Sequence, residues 1–380
     1  MRYMTVIRCT AKKPNSVLEF PSRERELIDP FLATLRGLPD VRVEAPRKLQ
    51  PSAGGPKEID AVLDLEIRGR PITLIIEMKR AGYPRDVRDA VWQLRNYIFH
   101  LQPQQKSEEA VLFFITESLS PGAKEFLKNE KIGYFDLGGN LYLPAESAYF
   151  YIEKSSTRRE TRTLRSLFTG KRALVLHFVF FQRDWFGVTE LAEKSGASAS
   201  TVSEVLSELE KREWTESRGH GPSKERRLTN GNALLDAWSA HQRSSRPPKL
   251  RRYFVSSKGV GNLAHRLSIA CDEHEIRYVV TGEMAAQHYA QYLSSISQVR
   301  CRMLETKRIG DALHQIDARV VNEGWNLAVI ETRQEGEFAF SQRIEGICMA
   351  SPLQTYLDLL QGDGRSKEMA EHLRQERLKI

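Results

Sequence analysis

Three side chains in the first third of the chain have the types and spacing of a hydrolytic metal site. Asp60 lies on one predicted strand, and Glu77 and Lys79 lie at the end of the strand that returns beside it. Strand side chains alternate between two faces, so Glu77 and Lys79 face the same way. Asp60, Glu77 and the Met78 carbonyl are ligands that Mg²⁺ accepts, while Lys79 can hold a water or neutralise a phosphate during hydrolysis.

Three predicted elements must position this group. Apolar residues recur with a helical period between positions 23 and 35, with Glu24 and Glu26 near the start of this helix. Positions 72–76 read as an apolar returning strand. Positions 59–67 alternate as a half-buried strand. Its inward side chains are Ile59, Ala61, Leu63, Leu65 and Ile67.

A predicted helix over positions 89–101 carries Gln93 and Tyr97 one turn apart. With Asp60 and the Glu77-x-Lys79 triplet, this stretch resembles the RecB-like branch of the PD-(D/E)xK nuclease superfamily. The resemblance implies a mixed sheet flanked by helices and Mg²⁺-dependent cleavage of DNA. It implies a metal site formed by Asp60 and Glu77, with a carboxylate from the first helix that the sequence leaves open between Glu24 and Glu26. The catalytic residues it implies are Asp60, Glu77, Lys79, Gln93 and Tyr97.

A structural role for the same residues stays open, because a fold does not fix an activity. Glu77 and Lys79 could form an ion pair at a strand end, and Gln93 and Tyr97 could close the edge of the core. The sequence alone does not choose between cleavage and a nuclease fold kept for its surface.

Positions 187–229 have the pattern of a helix-turn-helix followed by a hairpin. Gly196 breaks the first helix, and Ser198 is placed to cap the second. The buried side of the second helix repeats with a helical period. Its members are Val202, Val205, Leu206 and Leu209. This stretch resembles winged-helix transcriptional regulators, which implies that it binds DNA.

In helix-turn-helix proteins the N-terminal part of the second helix enters the major groove, while basic groups on the hairpin contact phosphates. The predicted contacts from the helix are Ser198, Ser200, Thr201, Ser203 and Glu204. The predicted contacts from the hairpin are Arg218, His220, Lys224, Arg226 and Arg227.

The last third alternates predicted helices and strands, as α/β domains do. The strand before Thr281-Gly282 and the run from Ala350 to Leu360 resemble AbiEi-type antitoxins, transcriptional regulators of type IV toxin–antitoxin systems. The resemblance implies a nucleotidyltransferase-like domain and a cognate toxin. Active nucleotidyltransferases need closely spaced carboxylates for two metal ions. The sequence has no Asp-x-Asp or Asp-x-Glu after Gly282, so transfer chemistry is not expected.

The fold class expected is therefore α/β multidomain. The domains are a restriction-endonuclease-like domain over positions 1–153, a winged helix-turn-helix over 154–246 and a nucleotidyltransferase-like domain over 247–380. An arginine-rich linker, with Arg158, Arg159, Arg162 and Arg165, precedes the central module. Such a charge run either touches phosphates or is a solvated surface.

Composition agrees with a polyanionic partner. The formal net charge is +8 from 57 basic and 49 acidic residues, a modest excess. The four cysteines have no paired spacing, which argues against a disulfide framework or a zinc site. The apolar runs are too short for a membrane span. A cytoplasmic protein is expected.

Two hypotheses follow. The first is an antitoxin-like transcriptional regulator that reads double-stranded DNA through the central winged helix, acts as a homodimer on symmetric sites and pairs with a toxin. The second is a Mg²⁺-dependent endonuclease that the winged helix targets.

Overall fold

A computed structural model of the chain divides by backbone packing into two compact units, Met1–Glu160 and Thr161–Ile380. The predicted division of the second unit near position 247 stays a prediction. The predicted loop over positions 51–56 and the arginine-rich linker lie outside the described residues. The structure describes residues 20–47, 59–100, 109–154, 166–362 and 364–379.

In the described part of the first unit, seven strands form one mixed sheet whose spatial order equals their chain order. β3 pairs in parallel with β4, and β4 with β5, whereas the other neighbours are antiparallel. The strands are β1 (Val41–Val43), β2 (Ala61–Ile67), β3 (Arg70–Gly82), β4 (Ala110–Leu119), β5 (Gly133–Asp136), β6 (Leu141–Pro144) and β7 (Tyr149–Ile152).

Helices cover both faces of this sheet. Helix α1 (Ser22–Arg36) buries Phe31 and its apolar neighbours on one face, and α2 (Pro84–His100) and α3 (Pro121–Asn129) pack on the other. Ser120 caps α3 by accepting a hydrogen bond from the Ala123 N–H. The α/β architecture expected from the sequence is present. Helix α1 matches its predicted bounds within one residue, whereas α2 begins at Pro84, before the predicted start at position 89.

Ile59 differs from its prediction. It packs in the cluster on the α2 face with Val62, whereas Ala61 and Leu63 lie in the cluster on the α1 face. The cause is that β2 begins only at Ala61, after a bend at Asp60. Strict alternation starts with the strand and does not extend back through the bend.

The second unit begins with four helices and a two-stranded hairpin in the part that the structure describes. A short 3₁₀ turn, Gly221–Ser223, links the strands of the hairpin. The elements are α4 (Gly170–Phe181), α5 (Val188–Ser195), α6 (Ala199–Lys211), β8 (Thr215–Arg218), β9 (Glu225–Leu228) and α7 (Gly231–Ser244).

A mixed seven-stranded sheet follows among the described residues, in the order β13-β10-β14-β12-β11-β16-β15. Its strands are β10 (Leu250–Phe254), β11 (Tyr278–Thr281), β12 (Val299–Leu304), β13 (Arg319–Val320), β14 (Leu327–Thr332), β15 (Gln342–Ile344) and β16 (Ile347–Met349). Its helices are α8 (Val260–Glu273), α9 (Gly282–Tyr289), α10 (Ile309–Gln315), α11 (Pro352–Leu359) and α12 (Ser366–Arg377).

The two parts of the second unit share one hydrophobic cluster, which extends from Leu167 to Leu378. The Ser239 hydroxyl of α7 lies 2.8 Å from the Tyr356 hydroxyl of α11. Gly336 approaches α4 so closely that a β-carbon there would lie 3.2 Å from the Leu174 Cα. Helices α4 to α7 and the second sheet therefore share one hydrophobic core.

Candidate functional sites

The connection between α5 and α6 is a tight turn with the local chemistry that the sequence predicts. Gly196 has φ 61° and ψ 21°, the left-handed conformation in which glycine carries no steric cost. Ser198 then caps α6, because its hydroxyl accepts a hydrogen bond from the Thr201 N–H at 3.2 Å. The turn therefore fixes where the N-terminus of α6 begins.

The predicted contact residues of α6 lie on its outer side. Ser200 and Ser203 are exposed, and Thr201 is half-buried. The Ser198 hydroxyl lies 2.9 Å from the hydroxyls of both Ser200 and Thr201, so these three form one small polar cluster. Glu204 is ion-paired with Arg172 of α4, which neutralises its charge on this surface.

Arg226 and Lys224 of the hairpin are engaged by Glu210 of α6. Arg226 Nε donates to Glu210 Oε1, and Lys224 Nζ donates to Glu210 Oε2, both at 2.7 Å. Arg226 is only 7% exposed. Burial would raise the pKa of Glu210, but the hydrogen bonds from Lys224 and Arg226 hold it below its ordinary value. These contacts anchor the hairpin to α6 and bury Arg226, which the sequence analysis placed at the surface. The Lys224 side chain stays 27% exposed, and its contact with DNA stays a prediction.

The other basic residues of the hairpin stay at the surface. Arg218, His220 and Arg227 are exposed. Arg218 donates to Glu225 at 2.7 Å, and Arg227 donates to Glu216 at 2.8 Å. Exposed pairs of this kind are worth little, so a phosphate can replace the carboxylate at small cost.

Trp185 is a half-buried residue of this region that the sequence analysis did not select. The guanidinium of Arg218 lies 4.4 Å from its ring centroid, and that of Arg227 lies 5.1 Å from it. Such cation–π contacts hold the two arginines beside one aromatic face. The signal in the sequence was a tryptophan directly before the buried Phe186, whose backbone pairs with Arg226.

The predicted acidic group forms a compact arrangement in the first unit. Asp60 Oδ2 accepts a hydrogen bond from the Met78 N–H at 2.6 Å, and Lys79 Nζ lies 2.6 Å from Glu77 Oε1. Asp60 lies just before β2 rather than within it, and Glu77 is 4% exposed. The residues that the sequence analysis grouped are therefore neighbours.

Electrostatics within this group identify the carboxylate that α1 adds. Burial raises the pKa of Glu77 above its ordinary value, and the charges of Asp60 and Glu24 raise it further, against the lowering effect of Lys79. Glu26 instead lies 3.9 Å from Arg80. Of the two carboxylates left open by the sequence, Glu24 is the one that acts on Glu77.

Lys79 is tuned in the same arrangement. Burial by itself would lower the pKa of Lys79, but the hydrogen bond from Lys79 to Glu77 and the charges of Glu77, Asp60 and Asp89 raise it. Lys79 therefore stays protonated at neutral pH. A protonated lysine can neutralise a phosphate or hold a water.

Gln93 and Tyr97 have different surroundings in the structure. Gln93 lines a shallow cleft together with Lys79, Asp86, Asp89 and Trp92, and its Oε1 is buried without a hydrogen-bond partner among the described residues. Tyr97 instead packs in the core with α3, and burial raises its pKa. The geometry places Gln93 beside Lys79 and gives Tyr97 a packing environment.

The donor set suits Mg²⁺ in part. Within the described residues, no group of three or more His, Cys, Asp or Glu side chains is placed to hold a metal ion. Asp60 and Glu77 would need a backbone oxygen such as the Met78 carbonyl, and water, to complete a shell of oxygen ligands. The charge of Asp60 raises the pKa of Glu77, and a cation would relieve this repulsion, so the pair fits the ion electrostatically.

Comparison with known proteins gives one match. Residues 227–379 match the family described as transcriptional regulator, AbiEi antitoxin, type IV toxin–antitoxin system. The match begins within β9 and covers α7 and the second sheet with its helices. Neither the curated proteins nor the solved structures contain a match to the chain. Among the helices that the structure describes, none has the length and apolarity to cross a membrane.

Proposed function

We propose that this protein is a transcriptional regulator of antitoxin type that binds double-stranded DNA through a winged helix formed by α5, α6 and the β8–β9 hairpin. The observations that carry the proposal are the exposed hydroxyls of α6 and the two exposed arginines of the hairpin that follows it. Ser200 and Ser203 lie exposed on α6, and Arg218 and Arg227 flank Trp185. Hydroxyls can donate to or accept from base edges, and arginines bind phosphates.

The family match supports the regulatory part of the proposal. It covers the chain from β9 to the last helix, which includes α7 and the second sheet that share a core with α4 to α6. A regulator of this family acts beside a toxin, so a cognate toxin is the protein partner that we propose. Helix-turn-helix proteins commonly bind two half-sites as dimers, and we therefore propose a homodimer on DNA.

The test is a fluorescence-anisotropy titration of the full chain with DNA from upstream of its own gene and with a scrambled fragment of equal length. We expect tighter binding to the upstream fragment. The double variant Ser200→Ala and Ser203→Ala should lose about 1–3 kcal/mol of that preference, because base contacts supply it. Ser294→Ala, an exposed serine elsewhere in the second unit, is the matched control. Equal binding to both fragments would contradict the proposal.

A second candidate function is Mg²⁺-dependent DNA cleavage by the first unit. The observation that favours it is the raised pKa of Glu77 in contact with Lys79 and under the charges of Asp60 and Glu24, since catalytic groups concentrate such shifts. With Mg²⁺ bound, the ion would polarise a phosphate and activate water. Asp60 and Glu77 would hold it, Lys79 would neutralise a phosphate oxygen, and Gln93 would orient a ligand at the cleft.

Plasmid incubation with Mg²⁺ or Mn²⁺ tests this candidate. Wild-type protein should nick the plasmid, and Lys79→Ala should bind DNA without cleaving it. Lys124→Ala, another lysine of the first unit, is the control. If wild-type protein cleaves neither the plasmid nor any other DNA in a panel of substrates, transcriptional regulation remains as the candidate function.

A further inference from the structure

A cavity of about 690 Å³ lies inside the second unit, where α4 and α7 face α11 and the turn Glu335–Phe338. Its size is that of a pocket for a small molecule. Its lining is mixed, with aromatic side chains on one side and amide and charged side chains on the other.

Two buried polar atoms in its lining have no hydrogen-bond partner among the described residues. They are His177 Nδ1 and Gln361 Oε1. His177 is 2% exposed. The Gln361 amide is oriented, because its Nε2 donates to the Gln242 carbonyl at 2.9 Å and this leaves Oε1 as an acceptor. Buried polar groups are nearly always satisfied, so unpartnered ones in a cavity wall indicate a missing partner.

Arg302, a charged group at the inner end of the wall, already has hydrogen-bond partners. Arg302 donates to Asp358 at 2.9 Å and to Glu337 at 2.7 Å, and it is 3% exposed. Thr281 and Gln354 also donate to Asp358, at 2.6 and 2.9 Å. One arginine between two carboxylates gives this wall no excess of positive charge. The inner end of the cavity therefore suits a neutral group with N–H donors better than an anion.

The aromatic side and the rim complete the description of a ligand. The rings of Phe168 and Trp238 are stacked with centroids 5.4 Å apart, and His177 meets Trp238 edge-on at 5.1 Å. These rings offer a planar ligand an apolar wall. Arg246 lines the opening and is exposed, without an ion pair among the described residues.

We propose that this cavity binds a small ligand with a planar heterocycle that carries an N–H donor and with an anionic group. The N–H of the ligand donates a hydrogen bond to Gln361 Oε1. The heterocycle lies along Phe168 and Trp238 and forms a hydrogen bond with His177 Nδ1. The anionic group forms an ion pair with Arg246. Nucleoside monophosphates and tryptophan both have this chemistry. The proposal does not depend on DNA binding, since no residue that lines the cavity belongs to α5, α6 or the β8–β9 hairpin.

Isothermal titration calorimetry on the full chain tests it, with the four nucleoside monophosphates, their nucleosides and tryptophan as probes. At least one probe should bind with a Kd below about 1 mM, in the range of a weak specific site. Gln361→Met, which keeps the volume and removes the acceptor, should weaken that binding about tenfold, since it deletes one buried hydrogen bond. Gln375→Met on the exposed side of α12 is the matched control.

Further variants keep the test decisive. Arg246→Ala should weaken a nucleotide but leave its nucleoside unchanged, and His177→Phe should weaken every probe that binds. Circular dichroism melting of each variant separates lost binding from lost folding. The absence of binding by all probes, or binding equal in wild type and in a folded Gln361→Met, would overturn the proposal. If binding is found while DNA binding is absent, the cavity proposal stands and the proposed function fails.

Discussion

Arg226 Nε lies 2.7 Å from Glu210 Oε1, an ion pair in which the arginine side chain is 8% exposed and the glutamate side chain 11%. Glu210 stands near the end of α6, and Arg226 stands in the returning strand of the hairpin. Lys224 shares the same carboxylate. One glutamate therefore sets the position of the hairpin relative to the helix, and with it the spacing between the two predicted DNA contacts.

Replacing Glu210 by alanine should destabilise the second unit. The substitution leaves Arg226 as a buried charge without its partner, and breaking a buried pair in this way costs about 3 kcal/mol. The free energy of unfolding in urea, measured at neutral pH, checks the prediction. Glu216→Ala is the control, because its pair with Arg227 is 43% and 46% exposed and should change stability by less than about 1 kcal/mol. Equal losses in the two variants would contradict the anchoring role.

Arg218 and Arg227 should account for part of the salt dependence of DNA binding. Each phosphate contact that is lost should reduce the slope of log affinity against log salt by about 1, with sequence preference unchanged. Arg218→Ala and Arg227→Ala, titrated at several salt concentrations, measure this slope. Arg308→Ala removes an exposed, paired arginine elsewhere in the unit and should leave the slope unchanged.

The substitution Glu225→Gln should change DNA affinity in the opposite direction in the same assay. It releases Arg218 from its carboxylate partner and should strengthen DNA binding. A weaker affinity in this variant, or an unchanged slope in Arg218→Ala, would show that the hairpin does not face phosphate.

Glu77→Gln should reveal the acidic site through its response to pH and metal. The folded state raises the pKa of Glu77, so the stability that protonation supplies is present below the ordinary glutamate value and lost as pH rises through the raised value. The variant lacks this loss and should melt higher than wild type at pH 7 in EDTA. Differential scanning calorimetry between pH 4 and 8 tests the difference.

Added metal should make wild type melt at a higher temperature than Glu77→Gln, the reverse of the order in EDTA. A cation bound by Asp60 and Glu77 stabilises wild type by roughly 2.7 kcal/mol at one hundred times its Kd and leaves Glu77→Gln unchanged. Glu66→Gln, a substitution at an exposed carboxylate of β2, should keep the wild-type response. The metal site would be excluded if Mn²⁺ raised the melting temperature of wild type and Glu77→Gln equally.

His177 should make the second unit sensitive to acid. Burial lowers its pKa from 6.5 to about 4, with Asp358 acting weakly in the other direction. A depressed pKa gives stability that is complete above pH 6.5 and is lost as pH falls toward 4, on the order of 3 kcal/mol. The unfolding free energy of His177→Phe relative to that of wild type should therefore rise as the pH falls from 6.5 toward 4. His314→Phe, at an exposed histidine, should run parallel to wild type, and parallel curves for His177→Phe would refute the prediction.

Local chemistry explains which elements could be predicted from the sequence. Gly196 was expected to end the helix before the turn and Ser198 to cap the helix after it. Gly196 is left-handed, and the Ser198 hydroxyl accepts the capping hydrogen bond. Caps, turns and periodic burial depend on residues within a few positions of one another, so a single sequence contains the required information.

Contacts between distant positions could not be predicted. Arg226 was expected at the surface because it belongs to a basic cluster, and its burial depends on Glu210, 16 positions away. Arg302 and Asp358 are 56 positions apart, and neither carries a local signal of a buried ion pair. The prediction that Ile59 faces the same way as Ala61 and Leu63 was wrong for another reason, since a bend at Asp60 shifts the phase of the strand.

The hydrophobic cluster from Leu167 to Leu378 has a consequence for protein engineering. The predicted boundary near position 247 lies between α7 and β10, yet α7 is held to α11 by the Ser239–Tyr356 hydrogen bond. A fragment that ends there would expose the apolar side of α7 to water and invite aggregation. A chimaera that borrows α5 and α6 for another protein must therefore carry the second sheet and its helices with it.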